Sequence, residues 1–290
     1  MAREPSKERW IFGLCCLFLI LPIWTVPFLP MVDLPQHAAQ ISVMRYLDDP
    51  AFGYSDIYTL NLFTPYLLGY GAGWLLSLMV PVQIALRILI TAAVLAVPLG
   101  VRWLNSQAGG RPEWALLGFP IALSFSYVYG FLNYLIGIPL SLVFVGLAGR
   151  YAEHPSWKRG LGLFALSVLL FWCHVLIAAF GCLVGAALVI ARSPGVKQAL
   201  VRVAPFAALA PLALFWLLRT RASEAQVNSE LQFGGLLERL VLLPGHVLGS
   251  IGDSFQATGG MPYFLAGVVL LCLPFLTGAR LSRQIWRWLP

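Results

Sequence analysis

The chain has little charge. Of 290 residues only 11% are Asp, Glu, Lys or Arg, while 59% are hydrophobic and the mean hydropathy is +0.81. A soluble domain is about 25% charged and about 45–50% apolar. So few charges cannot cover the surface of a soluble fold of this size, which makes lipid the solvent of much of the exterior. Catalytic and nucleotide-binding motifs are missing too: there is no phosphate-binding Gly loop, no His-Glu-x-x-His, no Gly-x-Ser-x-Gly and no internal repeat. The five cysteines (Cys15, Cys16, Cys173, Cys182 and Cys272) lie in or at the ends of apolar runs without Cys-x-x-Cys spacing. That argues against a zinc site or a disulfide framework and reads them as small buried apolar side chains. No small-residue cleavage site follows the basic stretch Arg3, Lys7, Arg9 and the apolar run at 10–29, so this run is expected to be an uncleaved first helix.

What the chain does have is long apolar runs, at 10–29, 62–80, 84–104, 114–149, 161–191, 203–218 and 262–278. The run at 114–149 would be roughly 54 Å long as one helix, against a hydrocarbon core of about 30 Å, and it breaks at Tyr129, Gly130 and Phe131. The run at 161–191 is interrupted by His174. The segment at 62–80 decides the topology. If it crosses, and 161–191 crosses once, Lys and Arg divide 10 inside to 9 outside. If it lies in the interface and 161–191 crosses twice, they divide 14 to 5, with only Arg45, Arg87, Arg219, Arg221 and Arg239 outside. The positive-inside rule selects the second arrangement. Pro65, Tyr66, Tyr70 and Trp74 suit an interfacial segment as well.

The expected fold is therefore an all-α polytopic membrane protein, a single transmembrane domain over 1–290 with about eight transmembrane helices. These run at 10–29, 84–104, 114–129, 132–149, 160–174, 175–191, 203–218 and 262–279. Both termini would be cytoplasmic in a plasma or inner membrane, with external loops at 30–83 and 219–261. The net charge of +7 is accounted for by this topology and calls for no nucleic acid. An Arg-rich helix and paired broken helices, which mark channels and transporters, are absent.

This arrangement collects the most unusual polar residues on the external side: Asp33, His37, Gln40, Asn133 and His174. Asp33 is an N-cap candidate with Pro35 in the first turn, and Asp33, His37 and Gln40 then share one helix face. A carboxylate and an imidazole one turn apart suit a divalent metal such as magnesium or manganese, or a base and its orienter. They equally suit a capped interfacial helix with an incidental histidine. Asn133 is a candidate polar contact or the cap of the helix after it; His174 is a candidate contact or a core histidine bonded to a carbonyl. Arg219, Arg221 and Arg239 would meet an anionic head group or phosphate, or are charge that a long external loop tolerates.

The order of these features resembles the conserved module of GT-C-type glycosyltransferases: oligosaccharyltransferases, protein mannosyltransferases and lipid A aminoarabinose transferases. It comprises the first helix, an external acid on a short helix (Asp33) and an interfacial Thr64, Pro65, Tyr66, Leu67 stretch. A crossing with an early Arg87, a basic turn from Arg102 to Arg111 and a tight external corner complete it. The resemblance is one of pattern over roughly 10–220. It implies transfer of a sugar from a polyprenyl-phosphate lipid to an acceptor at the external face. Asp33 would stand at the catalytic or metal-binding acid, His37 beside it, and Arg219, Arg221 or Arg239 would receive the phosphate. The second corner, Phe131, Leu132, Asn133 and Tyr134, carries no acid where the family often has one. That departure keeps open a non-catalytic scaffold, or a subunit with a partner, for envelope glycan or lipid assembly. A small-molecule transporter is the remaining alternative.

Overall fold

The computed structural model describes residues 7–207, 209–222 and 235–237. Among them the chain is all-helical, with no strand. Helices α1 (Lys7–Thr25), α2 (Leu34–Arg45), α3 (Leu67–Ser77) and α4 (Val82–Gln107) come first. After a short 3-10 segment, Pro112–Leu117, follow α5 (Gly118–Ala122), α6 (Phe125–Tyr129), α7 (Leu132–Glu153), α8 (Trp157–Cys173) and α9 (Val175–Ala191). The last described helices are α10 (Val196–Arg202), α11 (Ala204–Ala207) and α12 (Leu209–Ala222). Two helices, α4 and α7, are long and apolar enough to cross a membrane, and a third span results if the bent pair Val196–Arg202 and Ala204–Thr220 counts as one. Helix α9 and the segment Arg9–Thr25 are apolar but shorter. The crossing expected at 262–279 and most of the loop at 219–261 lie outside the described residues.

Both ends of the helix bundle are chemically distinct. At one end Arg102 lies over the ring of Phe12, 4.6 Å from its centroid, Arg150 donates to the Gln107 amide oxygen, and Arg159 donates to the His154 carbonyl. This is the basic end. Helix α4 runs towards it, α7 ends at it, and α8 starts from it with Ser156 accepting from the Arg159 N–H as an N-cap. Helices α8 and α9 form a hairpin: the chain is extended at His174, and Leu170 of α8 lies against Gly181 of α9. The sharp corner that the sequence places at His174 is present.

At the opposite end, the corner end, α1 stops at Thr25 rather than at 29. Pro27 and Pro30 supply no N–H to the carbonyls of Ile23 and Val26, and Arg87 of α4 donates to both instead (2.8 Å to Val26) and to the carbonyl of Pro27 as well (2.7 Å). Arg87 thus points at a helix terminus instead of reaching outward as an isolated cation.

Helices α2 and α3 stay at the corner end. Eleven residues in α3 rise roughly 16 Å, about half of a bilayer core. Its first turn is bonded to Asn133 at the start of α7, and Val80, just after it, accepts from Arg45 at the end of α2. Segment 62–80 therefore enters and leaves at one end. The expected helix at 114–129 is corrected: it is broken into the 3-10 segment, α5 and α6. Pro120 supplies no N–H to the Leu116 carbonyl, and Ser124 is extended at ψ 178, so no continuous hydrogen-bond ladder can form.

Two cores fill the bundle. One joins α1, α2, α4 and the start of α7 around Ile23, Ile41, Ile90, Val94 and Leu132; the other joins α7, α8, α9 and α11 around Phe144, Phe171, Ala178 and Phe206.

Candidate functional site

The corner end is built on one turn. Gly130 ends α6 at φ 86, a left-handed conformation in which a Cβ is strained, and Phe131 N–H closes the turn on the Ser126 carbonyl at 2.9 Å. The last carbonyls of α6 are then satisfied by the segment that opens α2. Val128 accepts from Val32 N–H (3.1 Å), Tyr129 from Asp33 N–H (2.9 Å) and Gly130 from the His37 ring (2.7 Å). A Cβ on Gly130 would lie 3.1 Å from the Asp33 nitrogen, so the glycine also permits the approach of the two chains.

This geometry fixes the state of His37, which is only 8% exposed. A carbonyl only accepts, so Nε2 carries the proton towards Gly130, and Nδ1 must accept from the Tyr70 hydroxyl at 2.8 Å. Burial lowers the pKa of His37, opposed by the Gly130 carbonyl and the Asp33 carboxylate. Burial raises Tyr70 to about 12, with the charges of Asp33 and Tyr66 adding to it, so the hydroxyl keeps the proton that it donates. The expected pairing of Asp33 with His37 as metal ligands, or as base and orienter, is corrected on these grounds. Both ring nitrogens are committed, and neither is open to a metal or to a substrate proton. Among the described residues no group of three or more His, Cys, Asp and Glu side chains could hold a metal ion. Among the described residues, Asp33 is left without a second ligand for a divalent cation.

Asp33 stands at the N-cap position of α2, but its backbone is helical (φ −87, ψ −1) and its side chain caps nothing. The half-buried carboxylate makes no hydrogen bond among the described residues, and its charge is felt at His37 and Tyr70. Asn133 is not the cap of α7, which begins one residue earlier, with Phe131 at the cap position. Its Oδ1 instead accepts from the Gly69 N–H of α3 at 2.8 Å, and its backbone carbonyl accepts from the Cys173 thiol at 3.0 Å. A Cβ on Gly69 would collide with the Asn133 amide, so this contact requires glycine. His174 is wedged edge-on between the rings of Tyr66 (5.1 Å) and Tyr134 (5.2 Å). Its buried Nδ1 has no partner among the described residues, so the expected bond to a carbonyl is not formed there.

Beside these residues lies a half-open cleft of about 530 Å³ between α2, α3 and the chain at 58–64. Gln36, Gln40, Asn61, Thr64, Tyr66 and Tyr70 supply its polar groups, and Val43, Met44, Leu47, Leu60 and Leu62 much of its apolar wall. Gln40 thus belongs to the site as the sequence suggests. The signal passed over in the sequence is the stretch from Tyr58 to Tyr66, where Tyr, Thr and Asn recur in a chain otherwise short of polar residues. Phe63, inside that stretch, packs on Phe215 of α12 at 4.8 Å, one helical turn before the exposed Arg219. Arg219 is so brought to the rim of the corner end. Arg221 is the penultimate residue of α12, and Arg239 lies outside the described residues.

Asp33, His37, Gln40, Asn133 and His174 are therefore gathered at one end of the bundle, through contacts between α2, α3, α6, α7 and the α8–α9 corner. Comparison with protein-family models, with curated proteins and with solved structures returns no match.

Proposed function

We propose that this protein is a multi-pass membrane glycosyltransferase of GT-C-like design, with the basic end cytoplasmic and the corner end external. About eight crossings place both termini on the cytoplasmic side. A sugar carried on a polyprenyl phosphate enters the cleft, and an acceptor hydroxyl approaches Asp33. The acceptor oxygen bonds to the anomeric carbon as its proton passes to the carboxylate. The bond from that carbon to the phosphate oxygen breaks, and the electron pair leaves with the polyprenyl phosphate. Arg219 at the rim offsets the charge released there. The observation that carries this reading is the Asp33 carboxylate, half-buried and without a hydrogen-bond partner among the described residues, one turn from Gln36 at the cleft wall.

Asp33→Asn is expected to lower transfer of radiolabelled sugar from a polyprenyl-phosphate donor, in proteoliposomes, by about 100-fold or more. Undiminished transfer would remove Asp33 from the chemistry.

One observation favours a second reading, a non-catalytic subunit that holds a lipid-linked glycan for a partner enzyme. With His37 committed to Gly130 and Tyr70, and the Asn133 amide to Gly69, Asp33 is the one carboxylate left at the site among the described residues. Mass spectrometry of co-purifying lipid separates the two. A polyprenyl-phosphate glycoside bound but never turned over supports the subunit; loss of that lipid in Arg219→Ala places its phosphate at the rim.

A further inference from the structure

Among the described residues the cleft lining holds no Asp, Glu, Lys, Arg or His: its polar groups are the amides of Gln36, Gln40 and Asn61, the hydroxyls of Thr59 and Thr64, and the phenols of Tyr58, Tyr66 and Tyr70. Amides and hydroxyls both donate and accept, which matches a ring of hydroxyls that does the same. Tyrosine adds an apolar face for the sugar ring and a polar tip. The volume of about 530 Å³ falls within the roughly 300–1,000 Å³ of small-molecule sites. The cleft is also graded along α2. Gln36 and Gln40 stand nearest Asp33, and Val43, Met44 and Leu47 follow one and two turns on, facing Leu60 and Leu62. A ligand with a hydroxylated head and an alkyl tail fits that gradient.

Charge is decisive. A carboxylate drawn into such a site loses hydration and finds no counter-ion among the described residues of its walls, a cost that only a paired charge offsets. Asp33, whose field already reaches Tyr70 in the cleft wall, would repel an acidic sugar head further, whereas the phosphate of the donor stays by Arg219 at the rim.

We propose that this cleft selects an uncharged sugar, a neutral hexose or pentose on a lipid tail, against acidic sugars, uronic or sialic. The inference rests on the glycan-binding reading above and adds the substrate class. Tyr66 is the positioning wall: His174 backs it edge-on, so its ring is held from behind while it faces the cleft.

The test uses the full chain in phospholipid nanodiscs and an alkyl β-glucoside bearing a diazirine on its tail. After photolysis, label should map to peptides within 36–70. Octyl glucoside should compete at concentrations at least tenfold below octyl glucuronide. Gln40 is exposed, so Gln40→Lys should fold normally; it should bring octyl glucuronide to parity with, or ahead of, octyl glucoside. Label spread along the chain as for bulk lipid, or equal competition by octyl glucuronide and octyl glucoside in wild type, would overturn the proposal. Failure of the enzyme reading looks different: Asp33→Asn would keep both transfer and the labelling pattern. If neutral selectivity fails while Asp33→Asn abolishes transfer, the enzyme stands and only the substrate class falls.

Discussion

His37 commits one nitrogen to Gly130, 93 residues away, and the other to Tyr70, joining α2 to α3 and to the turn before α7. Its depressed pKa has a defined sign in stability. Above about pH 6.5 the ring is neutral in both folded and unfolded chains, and the contacts contribute in full. As pH falls below 6.5 the unfolded chain takes up the proton first, so stability is lost progressively towards the folded-state pKa. The thermal midpoint in nanodiscs should therefore fall between pH 7 and pH 5.5, and His37→Gln should make that fall shallower. At pH 7 the same variant should cost about 1 kcal/mol through the lost Tyr70 bond, since its amide can still donate to Gly130. Identical acid slopes in the two proteins would show that His37 does not titrate in this range. The sequence makes Asp33 and His37 conspicuous, because their i, i+4 spacing is local. Their separate roles were not legible, because what decides them is a carbonyl and a phenol far along the chain.

Helix α3 illustrates the same limit at the scale of an element. Its interfacial character is written in the proline, tyrosines and tryptophan of 62–80 and in the charge count of the flanking loops. What anchors it is not written locally: a helix with no capping side chain of its own takes the cap from Asn133, 64 residues away. Gly69→Ala should displace that amide and cost about 1–3 kcal/mol, and Asn133→Leu about 1–2 kcal/mol by leaving the Gly69 N–H unpaired. Asn133→Asp keeps an acceptor and places negative charge at a helix N-terminus, so it should be the mildest of the three. Denaturation midpoints of the set check the order. If Gly69→Ala behaves as wild type, the close approach of α3 to α7 is wrong. The broken course of 114–129 is not legible in hydropathy, which counts apolar residues and is blind to the donor that Pro120 lacks.

For the whole molecule the informative quantity is the distribution of Lys and Arg, a long-range property that a single sequence does record. Assigning 62–80 to the interface and two helices to 161–191 places Arg102, Arg111, Arg150, Lys158 and Arg159 on one side. The structure brings Arg102, Arg150 and Arg159 to a common end and the corners at Gly130 and His174 to the other. The two ends must then face opposite compartments if α4 and α7 cross. Met79 follows α3 and is 85% exposed, Leu62 precedes it and is 64% exposed, and Ser106 is exposed near the end of α4. With the native cysteines replaced, Met79→Cys and Leu62→Cys should react together with an impermeant maleimide applied outside. Ser106→Cys should react only after permeabilisation. The mirror result, Ser106 alone labelled from outside, would keep the bundle but invert it and place the Asp33 cleft in the cytoplasm, away from an external sugar donor. Labelling of Met79 and Leu62 from different sides would make 62–80 a crossing and sink the two-ended architecture on which the site rests.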